Sequence, residues 1–265
     1  MPRFFNRIRK QLAKENKFFQ YSRYAIGEIL LVVIGILIAL QVDSWNEERK
    51  ERIEEQILLR QLKDDYTNNL EQLDNKIETR KVLINSSKDL LAFFDNPSFA
   101  NKDSVMSKFG NLGMLPTYDP IDNDLVASGR INIIQSQKLK TLLTKWSTDV
   151  IQVQEVEALY ANSHTYEYVP ALNKIGIGRA MDKALYERIG IQSNFLLNSQ
   201  EYIPYDFGES RLGPSLEGIL NNVELEGIVA NSILVNEVIN AESYTLRKQI
   251  LEILDLLEEL STPEN

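Results

Sequence analysis

The residue types that supply catalytic nucleophiles, bases and metal ligands are scarce in this sequence, which has one histidine and no cysteine in 265 residues. A Ser–His–Asp arrangement would need His164 as its base. Ser163 and Thr165 lie beside it on a predicted helix and point in other directions, so His164 is expected at an ordinary helix surface or boundary. One histidine without cysteine excludes the usual zinc sites, and disulfides are excluded as well. The sequence predicts no catalytic residue, no metal site and no cofactor.

Carboxylates remain as candidates for a calcium or magnesium site, or for an acid pair of the glycosidase type. Asp119, Asp122 and Asp124 fall in one predicted loop. Their spacing is not that of an EF-hand, and the glycine that such a loop needs is missing, so helix capping is the favoured role. Other close acids are expected on solvated helix faces: Asp64–Asp65, Glu155 with Glu157, and Glu258–Glu259.

Motifs for phosphate or ligand binding are equally weak. The run Gly176-Ile177-Gly178 has no preceding strand, no third glycine and no following Lys-Ser/Thr, so it does not predict a phosphate loop. The aromatic run 202–207 (YIPYDF) could line a cleft, although a loop that packs on the helices is favoured. An enzyme that uses only carboxylates, tyrosine and arginine, for example around Arg130 or Arg211, stays open as the rival interpretation.

Charge is distributed unevenly along the chain, whose net charge is −9. Residues 1–25 contain seven Lys or Arg against one acid, Glu15, whereas the chain from residue 46 onward has 22 basic and 35 acidic residues. Nucleic-acid binding depends on clustered cations, so an acidic body predicts no nucleic-acid partner.

The strongest single feature is the apolar run Ile29–Leu40, twelve residues without a polar side chain. As a helix it is about 18 Å long, and its flanks extend it to residues 24–45, enough to cross a hydrocarbon core of roughly 30 Å. Tyr24 and Trp45 would then lie at the two membrane interfaces. The sequence therefore predicts a basic cytoplasmic arm over residues 1–23, a transmembrane anchor over 24–45 and a helical extracytoplasmic domain over 46–265.

The orientation of the anchor follows from the cations around it. Seven precede the span and five follow it within a comparable distance, which favours a cytoplasmic N-terminus. The anchor is predicted to stay uncleaved, because Ala39-Leu40-Gln41 is not a small-x-small cleavage site. Glu28 is expected to reach the headgroups rather than form an ion path. Gly35 and Ala39 form a small-xxx-small pair, which leaves a homo-oligomer open.

Three amphipathic helices account for most of the remaining sequence. The first continues from the anchor to about Phe94 and is ended by Asp95-Asn96-Pro97, the second is capped by Ser136 and reaches about Tyr168, and the third ends near Leu260. None can bury its apolar stripe alone. We therefore predict an all-α fold, in which the transmembrane helix continues into a long amphipathic helix and an up-down helical bundle with an irregular middle. A membrane-proximal coiled coil is less favoured, because the stripe has a period closer to 3.6 than to 3.5 residues.

The irregular middle is expected to contain short elements and no strand. Helices are predicted near Asp103–Leu112 and Arg179–Ile189, with a helical turn over residues 122–128 that Gly129 stops. Pro214 is expected at the first position of another short helix.

The block Tyr24–Arg52 (YAIGEILLVVIGILIALQVDSWNEERKER) closely resembles the N-terminal signature of an uncharacterised bacterial family, common in Bacteroidota and known as domain of unknown function 6090. The stretch Asp124–Leu143 (DLVASGRINIIQSQKLKTLL) resembles the second recurring patch of that family. The resemblance implies a membrane-anchored protein of unknown activity, and it transfers no catalytic residue.

The function expected from these features is that of a membrane-anchored, non-enzymatic interaction or sensory domain. A continuous helix would join the span to the bundle, and catalytic constellations are lacking. The domain would be periplasmic and anchored in the bacterial inner membrane, with the lipid bilayer and proteins of the cell envelope as partners. A structural subunit of an envelope complex, or a carboxylate-based enzyme, are the alternatives.

Overall fold

The computed structural model describes residues 18–121, 124–189 and 205–261, and it contains helices and no strand over these ranges. The helices are α1 (Phe18–Asp95), α2 (Lys102–Leu112), α3 (Gln137–Ser163), α4 (Val169–Ile175), α5 (Gly178–Ile189), α6 (Leu216–Leu220) and α7 (Val223–Ser261). Short 3-10 helices cover Pro97–Phe99 and Arg130–Ile133, and a π-helical turn covers His164–Tyr168. The predicted all-α fold is confirmed. The chain divides into two compact units between Leu58 and Leu59.

The first unit contains the apolar part of α1. Its large apolar side chains from Ile26 to Val42 are 45–70% exposed, so they have no core of their own to pack in. An 18-residue window of this helix has a mean hydropathy of 2.6 and no buried residue. By length and composition it is the one helix of the described chain that could cross a membrane, as an anchor or a signal sequence.

The second unit is a bundle of the three long helices. Helix α7 runs antiparallel to α1, because Lys63 pairs with Glu258 and Lys88 with Glu237. It also runs antiparallel to α3, because Gln249 bonds to the Leu142 carbonyl and Gln152 to Glu242. Their facing stripes form the core, in which large apolar side chains are fully buried, including Leu62, Leu73, Leu83, Leu139, Ile250 and Ile253. Burying each such side chain stabilises the fold by about 1.5–3 kcal/mol. The predicted stripes are therefore what holds these helices together.

Helices α2 and α5 cross at unusually close range. A Cβ on Gly110 would lie 2.9 Å from the amide nitrogen of Leu185 and 3.1 Å from the Cβ of Ala184. A side chain at position 110 would push the α5 backbone away, so glycine is what permits this crossing.

The predicted boundaries of the first and last long helices agree with the structure, whereas the second, predicted to reach about Tyr168, ends as α3 at Ser163 and is followed by the π-helical turn. Ser136 caps α3, since its Oγ accepts a hydrogen bond from the Leu139 amide at 3.3 Å. Gly129 has the positive φ of 73° expected of a stop residue. Helix α6 begins at Leu216 with Ser215 as its cap, so the prediction that Pro214 is the first helical residue is wrong. Ser215 is the cap because its hydroxyl accepts a hydrogen bond from the Gly218 amide at 3.1 Å.

Candidate functional site

A non-helical segment of the irregular middle, residues 116–121, is bound to α1 and α3 by their side chains; we call it the clamped segment. Its backbone groups have no ladder partner, and a buried backbone group without a hydrogen bond is costly. Five side chains supply the missing bonds: Asn69, Gln72 and Arg80 from α1, and Gln154 and Glu157 from α3. The two helices thus hold this segment as they would hold an extended peptide.

Two amides of α1 each bind one residue of the clamped segment through both of their polar atoms. Asn69 donates to the Ile121 carbonyl at 3.1 Å and accepts from its amide at 2.7 Å. Gln72 donates to the Asp119 carbonyl and accepts from its amide, both at 2.9 Å. Asn69 and Gln72 share one face of α1, because residues three apart on a helix are neighbours.

A buried ion pair holds the other end of the clamped segment. The Arg80 guanidinium contacts Glu157 Oε1, and donates to the carbonyl of Pro116 and to the Ser243 hydroxyl, each at 3.0 Å. The backbone amide of Tyr118 donates to Glu157 Oε2 at 2.9 Å. Arg80 is fully buried and Glu157 is 4% exposed, so the pair is closed to solvent.

Glu157 is buried, so the prediction that it lies on a solvated helix face is wrong. Burial raises the pKa of its carboxyl, while the charge of Arg80 and the Tyr118 amide act in the opposite direction. Burial likewise lowers the pKa of Arg80, and the charge of Glu157 opposes it. Arginine stays protonated in proteins, so the two groups form an ionised pair. Each charge offsets the cost of burying the other.

Next to the clamped segment lies a pocket of about 380 Å³. It is lined by residues of α1, of the loop after the clamped segment, and of α3: Tyr66, Asp124, Leu125, Val126, Ala127, Leu143, Thr144, Trp146, Ser147 and Thr148. Val126, Thr144 and Ser147 are exposed, so the pocket is open at their side. The volume is sufficient for a small organic molecule or a large side chain.

Two aromatic side chains contribute to the wall of this pocket. The rings of Tyr66 and Trp146 lie 4.9 Å apart at an angle of 60° and are 3% and 4% exposed. The buried Nε1–H of Trp146 has no hydrogen-bond partner. Asp124 has a φ of 43°, and it is the one residue other than glycine with positive φ in the described chain. Unsatisfied polar groups and strained backbone both concentrate at functional sites in proteins.

A second cavity of about 590 Å³ lies between α2, α5 and the loop before α6. Lys183 lines it and is paired with Glu209, which raises the pKa of the lysine and lowers that of the carboxyl. Most of the residues that line it lie between Gly176 and Pro214. The smaller pocket is the better candidate, because it combines aromatic walls with an orphaned donor.

The single histidine occupies the π-helical turn that follows α3. In this turn the Val169 amide donates to the His164 carbonyl, one residue further back than in an α-helix. The turn leads directly into Pro170, which has no amide to donate. His164 is partly buried, its Nε2 has no hydrogen-bond partner, and its ring lies 5.2 Å from that of Tyr168. A cavity of about 10 Å³ adjoins it.

Burial lowers the pKa of His164 below its ordinary value of 6.5. The unfolded chain therefore takes up a proton near pH 6.5 while the folded chain resists it, so stability is expected to fall as the pH drops from 6.5 towards the lowered folded pKa. In His164→Asn this part of the pH dependence should disappear. Melting temperatures at pH 7.5 and 5.5 measure it, and an equal fall in both proteins would contradict the assignment.

The other candidate residues from the sequence are not brought together. Arg130 is exposed and donates to Gln61 at 3.2 Å, and Arg211 is exposed. Asp122 and residues 202–204 lie outside the described residues. Phe207 packs on Tyr186 with ring centroids 5.3 Å apart, as expected of a loop that packs on the helices. Over the described ranges no three His, Asp or Glu side chains form a cluster that could hold a metal ion.

The Gly176-Ile177-Gly178 run ends one helix and begins another. Gly176 has a φ of 88°, and the Ile177 amide donates to the Leu172 carbonyl at 3.0 Å, which is a Schellman arrangement. The glycine is required for its backbone conformation.

Residues 28–148 match the model of a family of unknown function (DUF6090), which confirms the resemblance inferred from the signature after Tyr24 and from the patch at Asp124–Leu143. The matched region includes every residue that lines the smaller pocket. No curated protein and no solved structure matches the chain.

Proposed function

We propose that this protein, which carries a DUF6090 region over residues 28–148, is a membrane-anchored, non-enzymatic sensory or interaction protein. In this proposal the apolar part of α1 anchors it in a bacterial inner membrane, and the bundle lies in the periplasm. The bundle binds a small, largely apolar ligand, or a side chain of an envelope protein, in the pocket beside Trp146. The partners are therefore the lipid bilayer and molecules of the cell envelope.

The observation that carries the proposal is the make-up of the pocket wall. Three separate parts of the chain contribute to it: α1 through Tyr66, the loop through Leu125, and α3 through Leu143 and Trp146. A ligand that fills the pocket contacts all three and favours one arrangement of them over others. Helix α1 also contains the candidate membrane helix. A ligand in the pocket therefore contacts the same helix that, in this proposal, anchors the protein.

The polar chemistry of the bundle supports binding rather than catalysis. Arg80 and Glu157 are enclosed, and they hold each other, the clamped segment and the Ser243 hydroxyl, with Arg80 Nε left without a partner. A catalytic acid has to come within hydrogen-bond reach of a substrate, and these two groups are sealed from the pocket opening. The rival enzyme would have to work with Asp124 and the exposed hydroxyls of Thr144 and Ser147.

Trp146 itself can report occupancy of the pocket. The chain has two tryptophans, so in Trp45→Phe the emission comes from Trp146. We expect 4-bromophenol, a small aromatic heavy-atom quencher, to quench this emission saturably in the full chain held in lipid nanodiscs. Ser147→Phe, which fills the pocket, should weaken the apparent affinity at least fivefold.

The matched control is Thr141→Phe, which adds the same ring at another exposed position of α3 that does not line the pocket. Its quenching curve should equal that of Trp45→Phe. A linear, non-saturating curve in the parent, or equal curves in both phenylalanine variants, would show that the probe does not bind in this pocket.

The proposed orientation is tested by reporters fused after Asn265. Alkaline phosphatase is expected to be active there and a cytoplasmic fluorescent reporter dark, because the excess of cations before the span favours a cytoplasmic N-terminus. A fluorescent, phosphatase-negative result would move the bundle and its partners to the cytoplasm.

A further inference from the structure

The larger cavity, of about 590 Å³ between α2, α5 and the loop before α6, has no part in the proposed function. Its volume is sufficient for a small organic molecule. Unlike the wall of the pocket beside Trp146, its wall is rich in charge. Five charged side chains of both signs line it: Lys102, Asp103, Lys183, Glu187 and Glu209.

One wall of this cavity belongs to a non-helical segment, residues 205–213, which we call the strap. Three side chains of α5 each bind one residue of the strap: Arg179 the Phe207 carbonyl at 2.7 Å, Lys183 the Glu209 carboxylate, and Tyr186 the Tyr205 amide at 2.8 Å. The three side chains share one face of α5, because they are spaced by four and three residues. The strap is therefore held along one side of the cavity by a single helix.

Cations converge on the strap at Glu209. The ion pair with Lys183 lowers the pKa of the Glu209 carboxyl, and the charges of Lys102 and Arg179 act in the same direction. A Cβ on Gly208, the residue before Glu209, would lie 3.1 Å from the Arg179 guanidinium, so the backbone here is in close contact with a second cation. In a chain with a net charge of −9, three cations around one carboxylate form a local carboxylate-binding arrangement. Its occupant in this structure is the chain's own Glu209.

The bond between Glu209 and Lys183 is open to exchange. The Glu209 side chain is 81% exposed, whereas that of Lys183 is 28% exposed and lines the cavity. An ion pair with so exposed a partner contributes little to stability, because water solvates the free carboxylate well. A carboxylate from solution can therefore take the place of Glu209 at Lys183 without leaving a buried charge unpaired.

Acids in the same wall indicate what else the ligand carries. Asp103 and Glu187 line the cavity, and a Glu187 carboxylate oxygen lies 3.9 Å from Lys183 Nζ. Glu209 raises the pKa of Lys183 most, and Glu187 and Asp206 act in the same direction. A simple anion would meet these acids as well as the cations and gain little. A ligand with both a carboxylate and an ammonium group complements both signs.

We propose that this cavity is a binding site for a small zwitterion, an amino acid or a short peptide, whose carboxylate replaces that of Glu209 at Lys183. The ammonium group of the ligand pairs with the acids of the wall, Asp103 and Glu187. Binding frees Glu209 and removes one of the three contacts that hold the strap on α5. The site is separate from the pocket beside Trp146 and does not depend on the function proposed for that pocket.

The dipeptide glycyl-leucine is the probe, titrated calorimetrically into the full chain in lipid nanodiscs. Glu209→Gln removes the competing carboxylate and should tighten binding severalfold. Lys183→Met should weaken binding about tenfold or more, because a hydrogen bond between two charged groups is lost. A purely structural role of Glu209 would predict looser binding, or none, when its pair with Lys183 is broken. The proposal is overturned if Glu209→Gln does not bind more tightly than the parent, or if neither binds the dipeptide saturably.

Matched controls come from another exposed lysine–glutamate pair. Lys88 and Glu237 join α1 to α7 at 3.0 Å, and neither lines the cavity. Lys88→Met and Glu237→Gln make the same changes of charge and should leave the affinity for glycyl-leucine unchanged. If they shift the affinity as much as the Lys183 and Glu209 variants do, the effect comes from the overall charge of the chain and the proposed site is wrong.

Two modified probes test each end of the ligand. Glycyl-leucine amide lacks the carboxylate, and N-acetyl-glycyl-leucine lacks the ammonium group. Each should bind the Glu209→Gln chain about tenfold more weakly than glycyl-leucine does, because each loses one charged partner. Equal binding of the amide would overturn the role of Lys183, and equal binding of the acetylated probe would overturn the assignment to a zwitterion.

Discussion

Arg80→Met is expected to lower the free energy of unfolding of the full chain by about 3–5 kcal/mol, because it leaves the Glu157 carboxylate buried without its counter-ion. Glu157 is 4% exposed, so water cannot replace the guanidinium. The Pro116 carbonyl and the Ser243 hydroxyl lose a donor in the same step. Urea unfolding of the full chain in detergent, followed by circular dichroism, measures the loss.

Two further variants make the Arg80 prediction specific. Arg80→Met combined with Glu157→Leu removes both charges, and it should be more stable than Arg80→Met alone, because two apolar side chains can replace a buried pair at little cost. Arg130→Met removes an exposed arginine that bonds to Gln61 and should change stability by less than about 0.5 kcal/mol. A loss below about 1 kcal/mol in Arg80→Met would mean that water reaches the pair.

The buried pair shows where sequence patterns stop being informative. The stripe of α1 could be predicted, because Leu62, Tyr66 and Leu73 recur at helical spacing and are buried as expected. Arg80 lies three residues after Ile77, in register with that stripe. Arginine, however, is usually found on protein surfaces. Its burial depends on Glu157, which is 77 positions away in the sequence. A pairing over such a distance leaves no local signal.

Helix α7 was incompletely predicted for the same reason. Its apolar residues marked the helix correctly, and Leu225, Ile239 and Leu246 are buried. The face towards α1 also contains buried polar side chains, among them Ser232, Asn236, Asn240 and Ser243. These residues resemble a solvent face when only hydrophobicity is considered. The outward face, on which Leu234 and Val238 are exposed, in turn resembles a core face. The sequence pattern therefore predicts the existence of the helix better than the direction in which each face points.

The irregular middle was recognisable only as irregular. Its turns could be predicted from Gly129 and Ser136, because these residues act through their own backbone and side-chain chemistry. The clamped segment could not be predicted, since its partners Asn69 and Gln72 belong to another helix and look like ordinary polar surface residues. The wall of the pocket beside Trp146 includes the loop that comes after this segment. The pocket could therefore not be predicted from the sequence either.

Asn69→Ala is expected to detach the clamped segment at its Ile121 end. The Asn69 side chain is 1% exposed, and it satisfies both the amide and the carbonyl of Ile121. Leaving two partly buried backbone groups unpaired should cost about 2–4 kcal/mol. Gln72→Ala should cost less, because the Gln72–Asp119 bonds are exposed and water can replace them.

The consequence for function is that Asn69 supports the pocket without lining it. Ile121 leads, through two intervening residues, into Asp124 and Leu125 of the pocket wall. When the clamp is released, Trp146 should become more exposed, so the emission of Asn69→Ala in the Trp45→Phe background should shift to longer wavelength while the helix content is retained. Asn75→Ala, at an exposed position of the same helix, should show neither the loss of stability nor the shift. If the two alanine variants behave alike, the other four side chains hold the clamped segment without Asn69, and the pocket wall does not depend on Asn69.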